Sequence, residues 1–389
     1  MTRRLDLLAA LAGLLSAAIL LTGIAPITAA GIDDIARTNK AFSYVNDKLP
    51  QGPWSVHILK MDRRSPEYEI HSMLAGGAVS GMVTLTDQVK AVPAELGRPV
   101  GAVNGDFYVT SPRFYSGDPQ GLQIVDGELV SGPDVEFPCF WTDAQGRPNT
   151  GIVQPAFRVT WKHDTTTVLG LNEERSDDTA VLYTPRMGPS TGTKTGGREI
   201  VIEAVETNAW LPLHIGRKVI GRVRAIRDAG DTPLTPDIMV ISLGAKLLVD
   251  APVVDVGDVI QISTATVPEL AGCKTAIGGG PRLVVDGKPV GRWSSPHQRH
   301  PRTAIGWNDD SIFLLLVDGR QPGLSVGMSY TEMADYFIKL GCTHALNLDG
   351  GGSASMWLMG QTVNSPSEGR ERPVANGLVI VKKPRRPAQ

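Results

Sequence analysis

Two apolar stretches near the C-terminus each stop at an Asp-Gly pair, and this recurrence constrains the fold more than any other feature of the 389-residue chain. Residues 312–317 are consecutively apolar and lead into Asp318-Gly319, while residues 345–348 lead into Asp349-Gly350-Gly351-Gly352-Ser353. Residues 312–317, which have no polar interruption, read as a strand buried on both faces, and residues 345–348, which include Asn347, as a short strand. Between the two lies a helix signature. Ser329 and Glu332 have capping-box spacing, Met333, Tyr336, Phe337 and Leu340 share one face, and Gly341 closes the last turn. Strand, helix and strand in this order predict a βαβ unit with neighbouring parallel strands and a right-handed crossover. Asp318 and Asp349 then stand at one carboxyl edge, where open α/β sheets hold their ligands.

A guanidinium is expected beside them. Arg302-Thr303-Ala304-Ile305-Gly306-Trp307 is followed by the turn-like Asn308-Asp309-Asp310, so it forms a hairpin with residues 312–317. Pairing Trp307 near Ile312 places Arg302 opposite Val317, beside Asp318. Arg302, Asp318 and Asp349 are therefore predicted to converge, with an ion pair that only holds the sheet edge as the alternative for Arg302. Gly350, Gly351 and Gly352 can turn several N–H groups onto one anion. Three further groups are candidates for the same cleft: Asn104-Gly105-Asp106-Phe107-Tyr108, Gly278-Gly279-Gly280-Pro281, and His300. Their plainer readings are an Asx turn, a tight loop and a surface histidine. Asp126-Gly127 and Asp286-Gly287 lie between short apolar runs and read as two-residue hairpin turns.

The first residues have a different character. Arg3 and Arg4 precede an apolar run over residues 7–24, and Ala29 and Ala30 offer a cleavage point, so residues 1–30 read as a secretory signal and the protein as extracytoplasmic. Membrane association is expected only if that segment is retained. Residues 31–53 read as a lead-in with a short helix, residues 54–383 as the folded domain and 384–389 as a disordered tail. A helix is expected over residues 87–96, weakened by Pro93. Residues 155–265 show short β-like runs and no catalytic candidate. The overall class is α+β, with a mixed β-sheet, a C-terminal βαβ unit and several hairpins. A net charge of −2 argues against a nucleic-acid partner. Cys139, Cys273 and Cys342 lack metal-ligand spacing and are odd in number, so at most one disulfide is expected, and no metal or other cofactor.

Taken in order, Asn104-Gly-Asp-Phe-Tyr, Gly278-Gly-Gly-Pro, Pro301-Arg-Thr-Ala-Ile-Gly, Val317-Asp-Gly-Arg-Gln-Pro-Gly, Asn347-Leu-Asp-Gly-Gly-Gly-Ser and Arg372-Pro-Val-Ala-Asn-Gly resemble the phosphodiester glycosidase family. The resemblance runs from about Val56 to Val381. It implies an α+β domain that hydrolyses a sugar from the phosphodiester on its anomeric carbon, with a sugar phosphodiester or phosphate-linked glycan as substrate. It implicates Asn104, Arg302, Thr303, Asp318, Asp349, Gly350, Gly351, Gly352 and Ser353. Asp106 stands where the family commonly has glycine, and Arg320 adds a positive charge after Val317-Asp318-Gly319. Asp349, Asp318 and Arg302 are the expected catalytic groups. Asn104, Asp106, Gly279, Thr303, Arg320, Gly350, Gly351, Gly352 and Ser353 are the expected substrate contacts. Arg302 or Arg320 with the glycine run would bind the phosphate. Two other classes remain compatible with the residues: a secreted, non-catalytic glycan-binding or cell-wall protein, and a metal-dependent phosphodiesterase, the latter disfavoured by scattered histidines.

Overall fold

The unbroken apolar run is the strand Ser311–Val317, and both of its faces are covered, as its composition demands. The computed structural model describes residues 40–111, 113–205, 210–291, 293 and 297–384. The expected signal segment and the end of the C-terminal tail lie outside these residues. The described part of the lead-in, residues 40–53, holds the strand Phe42–Leu49 and a turn.

Ser311–Val317 belongs to a seven-stranded sheet whose order is Phe42–Leu49, Trp54–Asp62, Ser311–Val317, Arg302–Trp307, His344–Asn347, Arg282–Val285 and Lys288–Pro289. On one face, Leu314 and Leu316 pack with Val103, Leu378 and Ile380 of a second, five-stranded sheet that contains Arg98–Asn104 and Asn376–Lys382. On the other, Phe313, Leu315 and Val317 pack with Met333, Ala334 and Phe337 of the helix Tyr330–Lys339. That helix has the expected capping box between Ser329 and Glu332, and Gly341 follows it at φ +79°.

The expected side-by-side pairing of the two parallel strands that flank the helix is corrected here. Every pairing in the seven-stranded sheet is antiparallel. Arg302–Trp307 folds back on Ser311–Val317 as a hairpin, and its other edge takes His344–Asn347. The hairpin closes a much shorter loop than the helical crossover, so it claims the adjacent position. The strands on either side of the helix are consequently separated by one strand. They still run in the same direction, because each is antiparallel to the strand between them. Their ends therefore share an edge: a Cβ on Gly319 would lie 2.6 Å from the Pro301 nitrogen, and a Cβ on Gly350 would lie 2.6 Å from the Pro301 oxygen.

Two further sheets complete the described residues. Gln123–Val125 and Thr275–Gly278 belong to a five-stranded one, and an eight-stranded one is built from strands between residues 154 and 267. The latter contains the parallel pairing of Gly170–Leu171 with Ala180–Tyr183. The expected helix over 87–96 is shorter and earlier, Leu85–Lys90, started by the Thr84 side chain and ended ahead of Pro93. Asp126 and Asp286 occupy hairpin turns at φ +50° and +51°. The three cysteines are buried and free.

Candidate functional site

Arg302 lies opposite Val317, as the hairpin register requires. Directly opposed residues project on the same face, and successive residues on opposite faces. Arg302 thus leaves the sheet toward the helix, while Thr303 and Asp318 leave it toward the second sheet. The guanidinium of Arg302 sits 4.0 Å from the centre of the Tyr330 ring and donates to the carbonyls of Met328 (3.1 Å) and Gln298 (3.0 Å). The expected Arg302–Asp318 convergence is corrected by this parity: the two are neighbours in register but project from opposite faces.

Asp318 is paired with a histidine instead. Its Oδ2 is 2.8 Å from His57 Nε2, and its Oδ1 accepts the Ser365 N–H at 2.8 Å. The other ring nitrogen of His57 lies 2.8 Å from the Tyr44 hydroxyl. Asp318 and His57 are both buried. With each carboxylate oxygen engaged, Asp318 organises the sheet edge rather than facing a cleft.

Asp349 differs in being half-buried. Its N–H donates to the Gly105 carbonyl (2.8 Å), and its carbonyl accepts from Asn104 Nδ2 (2.7 Å). Asn104 Oδ1 in turn accepts from Thr303 Oγ1 (2.7 Å) and the Ser355 N–H (3.1 Å). Asn104 and Thr303 are fully buried, so they lock the second sheet to the first and aim Asp349, without reaching the solvent themselves. Burial pushes the Asp349 carboxyl above the ordinary carboxylate range, opposed by Ser353, by the Gly350 N–H and by the charge of Arg372. The Ser353 hydroxyl is buried and makes no hydrogen bond of ordinary geometry, but it is close enough to favour the ionised form.

The glycine run does not serve as the expected open anion cradle. The Gly350 N–H donates to Asp349 Oδ1 (2.8 Å) and the Gly351 N–H to the Pro301 carbonyl (2.9 Å). What the small residues permit is close approach by cations. Arg320 Nη2 would lie 3.1 Å from a Cβ on Gly351, and Arg372 crowds the same position on Gly352. Arg320 is exposed and forms no ion pair among the described residues, whereas Arg372 is bonded to Glu368. His300 Nδ1 lies 3.4 Å from Arg320 Nη2. Burial, together with the charges of Arg302 and Arg320, holds the His300 pKa below its ordinary value.

Asp106 and Gly279 are also placed differently from expectation. Asp106 is buried, and its two oxygens accept the N–H groups of Phe107 (2.8 Å) and Gly121 (2.8 Å). Burial, with the fields of Asp349 and Asp134, pushes its pKa up to about 7 against those two donors. The charge it adds is turned inward. Gly279 is buried where a Cβ would meet the Asn347 carbonyl at 2.6 Å, so its smallness serves backbone packing. Of the expected site residues, Asp349, Gly350, Gly351 and Arg320 retain solvent access. His57 and Arg372 were not anticipated. A polar residue inside the apolar alternation of residues 54–61 was the available signal for His57, and the Arg372-Pro-Val motif for Arg372. Among the described residues, no three His, Cys, Asp or Glu side chains are grouped to hold a metal.

Residues 227–381 match the family model described as phosphodiester glycosidase. Over 114 residues the chain is 36% identical to the SPbeta prophage-derived uncharacterized protein YomE of Bacillus subtilis (strain 168), covering 28% of this chain and 18% of that one. A Synechocystis protein of unassigned function has a solved structure that superposes with a TM-score of 0.69 at 22% identity, covering 87% of this chain and 61% of its own. A candidate exported protein of Burkholderia pseudomallei K96243 superposes with a TM-score of 0.66 at 23% identity, covering 85% of this chain and 74% of its own. At these identities the two structures show the shared fold. The chain spans less than two thirds of both YomE and the Synechocystis protein.

Proposed function

From the match of residues 227–381 to phosphodiester glycosidases, we propose that this chain hydrolyses a glycosyl-1-phosphodiester, releasing the free sugar and leaving a phosphomonoester. The observation that carries this reading is the half-buried Asp349 carboxyl, bonded to the Gly350 N–H, with the exposed Arg320 guanidinium, which forms no ion pair among the described residues, against the next residue, Gly351. The phosphodiester has one negative charge, which Arg320 binds, assisted by Arg372. Because phosphate leaves readily, the demand on the protein is to stabilise positive charge developing at the anomeric carbon. Asp349 meets that demand as a carboxylate. Water adds to the anomeric carbon, the bond to the phosphate oxygen breaks, and the proton lost by water passes to solvent. Asn104 and Thr303 hold Asp349 in position. Asp318 acts as a structural anchor through His57. Export is part of the reading, on the N-terminal segment, and no helix among the described residues is long and apolar enough to cross a membrane.

A second reading, non-catalytic glycan binding, draws on the burial of Asp106 and Asp318, which leaves Asp349 without a second accessible carboxylate among the expected site residues. One experiment separates the two. The protein is incubated with p-nitrophenyl esters of several sugar 1-phosphates, and free sugar is measured. Turnover by wild type with a loss of at least ~10³-fold in Asp349→Asn is expected. Retained sugar-phosphodiester binding with no turnover by wild type would favour the binding module instead.

A further inference from the structure

The loop that begins at Asp106 leads away from Asp349 to a cavity of about 850 Å³. Its wall includes Asp118, Asp134, Glu173 and Glu174, and among the described residues no Lys, Arg or His lines it. Phe157 and Leu171, both buried, supply an apolar floor, and the hydrophobic side chains of Val135 and Phe137 are exposed at the lining.

Asp118 is the feature that points to a ligand. It is 6% exposed, and its backbone is satisfied, with the N–H donated to Tyr115 (3.0 Å) and the carbonyl accepting from Val109 (2.8 Å). Its carboxyl has no hydrogen bond or ion pair among the described residues, although the residue lines the cavity. Buried acids normally have partners, because desolvation without one is costly. Burial, reinforced by the charges of Glu173 and Asp106, pushes the Asp118 pKa well up. A bound positive charge would reverse that cost, and a donor group would fill the vacant acceptor positions. The carboxylates are not grouped to hold a metal ion, and the floor is apolar. Both features favour a cation with an organic body over a bare ion.

We propose that this cavity binds an organic primary ammonium ion, its N–H groups directed at Asp118 and its body against Phe157 and Leu171. The site is separate from the Asp349 chemistry, so its test stands apart from the hydrolytic reading.

The probes are benzylammonium and its neutral analogue benzyl alcohol, titrated near pH 7 by calorimetry. Benzylammonium is expected to bind at least ~10-fold more tightly than benzyl alcohol, the ratio expected of one charge-assisted hydrogen bond. Asp118→Asn should remove that preference while leaving the melting temperature at or above wild type, and Asp349→Asn should retain it. Equal binding of the two probes, no binding of either, an undiminished preference in Asp118→Asn, or loss of binding in Asp349→Asn would each overturn the proposal. If Asp118→Asn does not fold, Glu173→Gln at the exposed rim provides the same comparison: a weakened preference supports the assignment, and an unchanged one overturns it.

Discussion

His57 Nε2 lies 2.8 Å from Asp318 Oδ2, and each side chain is 2% exposed. This contact joins Trp54–Asp62 to the end of Ser311–Val317, two strands already paired through their backbones. It turns Asp318 from an expected catalytic acid into a brace. Removing one partner from such a buried pair is costly, because the other is left without its hydrogen bond. Asp318→Ala is therefore expected to destabilise the fold by about 3 kcal/mol. Chemical denaturation monitored by circular dichroism measures this, and a change under ~0.5 kcal/mol would contradict the bracing role.

Arg320 and Arg302 should behave as opposites although they are close in the chain. Arg320 is exposed beside Gly351 and forms no ion pair among the described residues, so Arg320→Ala is expected to raise KM for a sugar phosphodiester ~10-fold or more, with little effect on stability. Arg302 is held by two carbonyls and the Tyr330 ring, and Arg302→Lys is expected to lower stability by about 1–2 kcal/mol while leaving KM near wild type. Steady-state kinetics and denaturation on both variants check the pair; reversed outcomes would move the phosphate contact to Arg302.

The pH profile reports on Asp349. Its pKa is raised by burial, so the acid limb of kcat/KM should fall at a higher pH than an ordinary carboxylate gives. Arg372 opposes that rise by favouring the ionised form. Arg372→Met should therefore displace the acid limb further upward. A downward displacement would mean that the limb belongs to a different group.

Asp106 should make stability depend on pH in a direction opposite to that of a paired carboxylate. Its folded pKa is about 7, above the value of about 3.9 expected when unfolded. Between these two values the folded state holds a proton that the unfolded state has lost, so stability falls as pH rises through this window. The share due to Asp106 is at most about 4 kcal/mol. Asp118 and Asp349 are raised too and add slope of the same sign. Unfolding free energies measured from pH 4 to 8 should decline less steeply in Asp106→Asn than in wild type. Parallel curves would show that Asp106 does not titrate in this range.

Local chemistry determined much of this protein from the sequence alone. The capping box at Ser329, the turns at Asp126 and Asp286, the doubly buried Ser311–Val317 strand and the Arg302–Val317 register all depend on residues close in the chain. The meeting of the two Asp-Gly strand ends around Pro301 followed from direction alone, which a hairpin and a helix suffice to define. Only the tertiary structure decided which of these side chains keep solvent access. Alternation along a strand reverses the face at each residue, so adjacency in register brought Arg302 and Asp318 level without bringing their side chains together. The partners that then claimed Asp318, Asn104 and Asp106 come from strands and loops distant in sequence. Burial raised the cost of leaving these polar groups unpaired, and that cost, invisible in any local window, locked them inward and left Asp349 and Arg320 facing solvent.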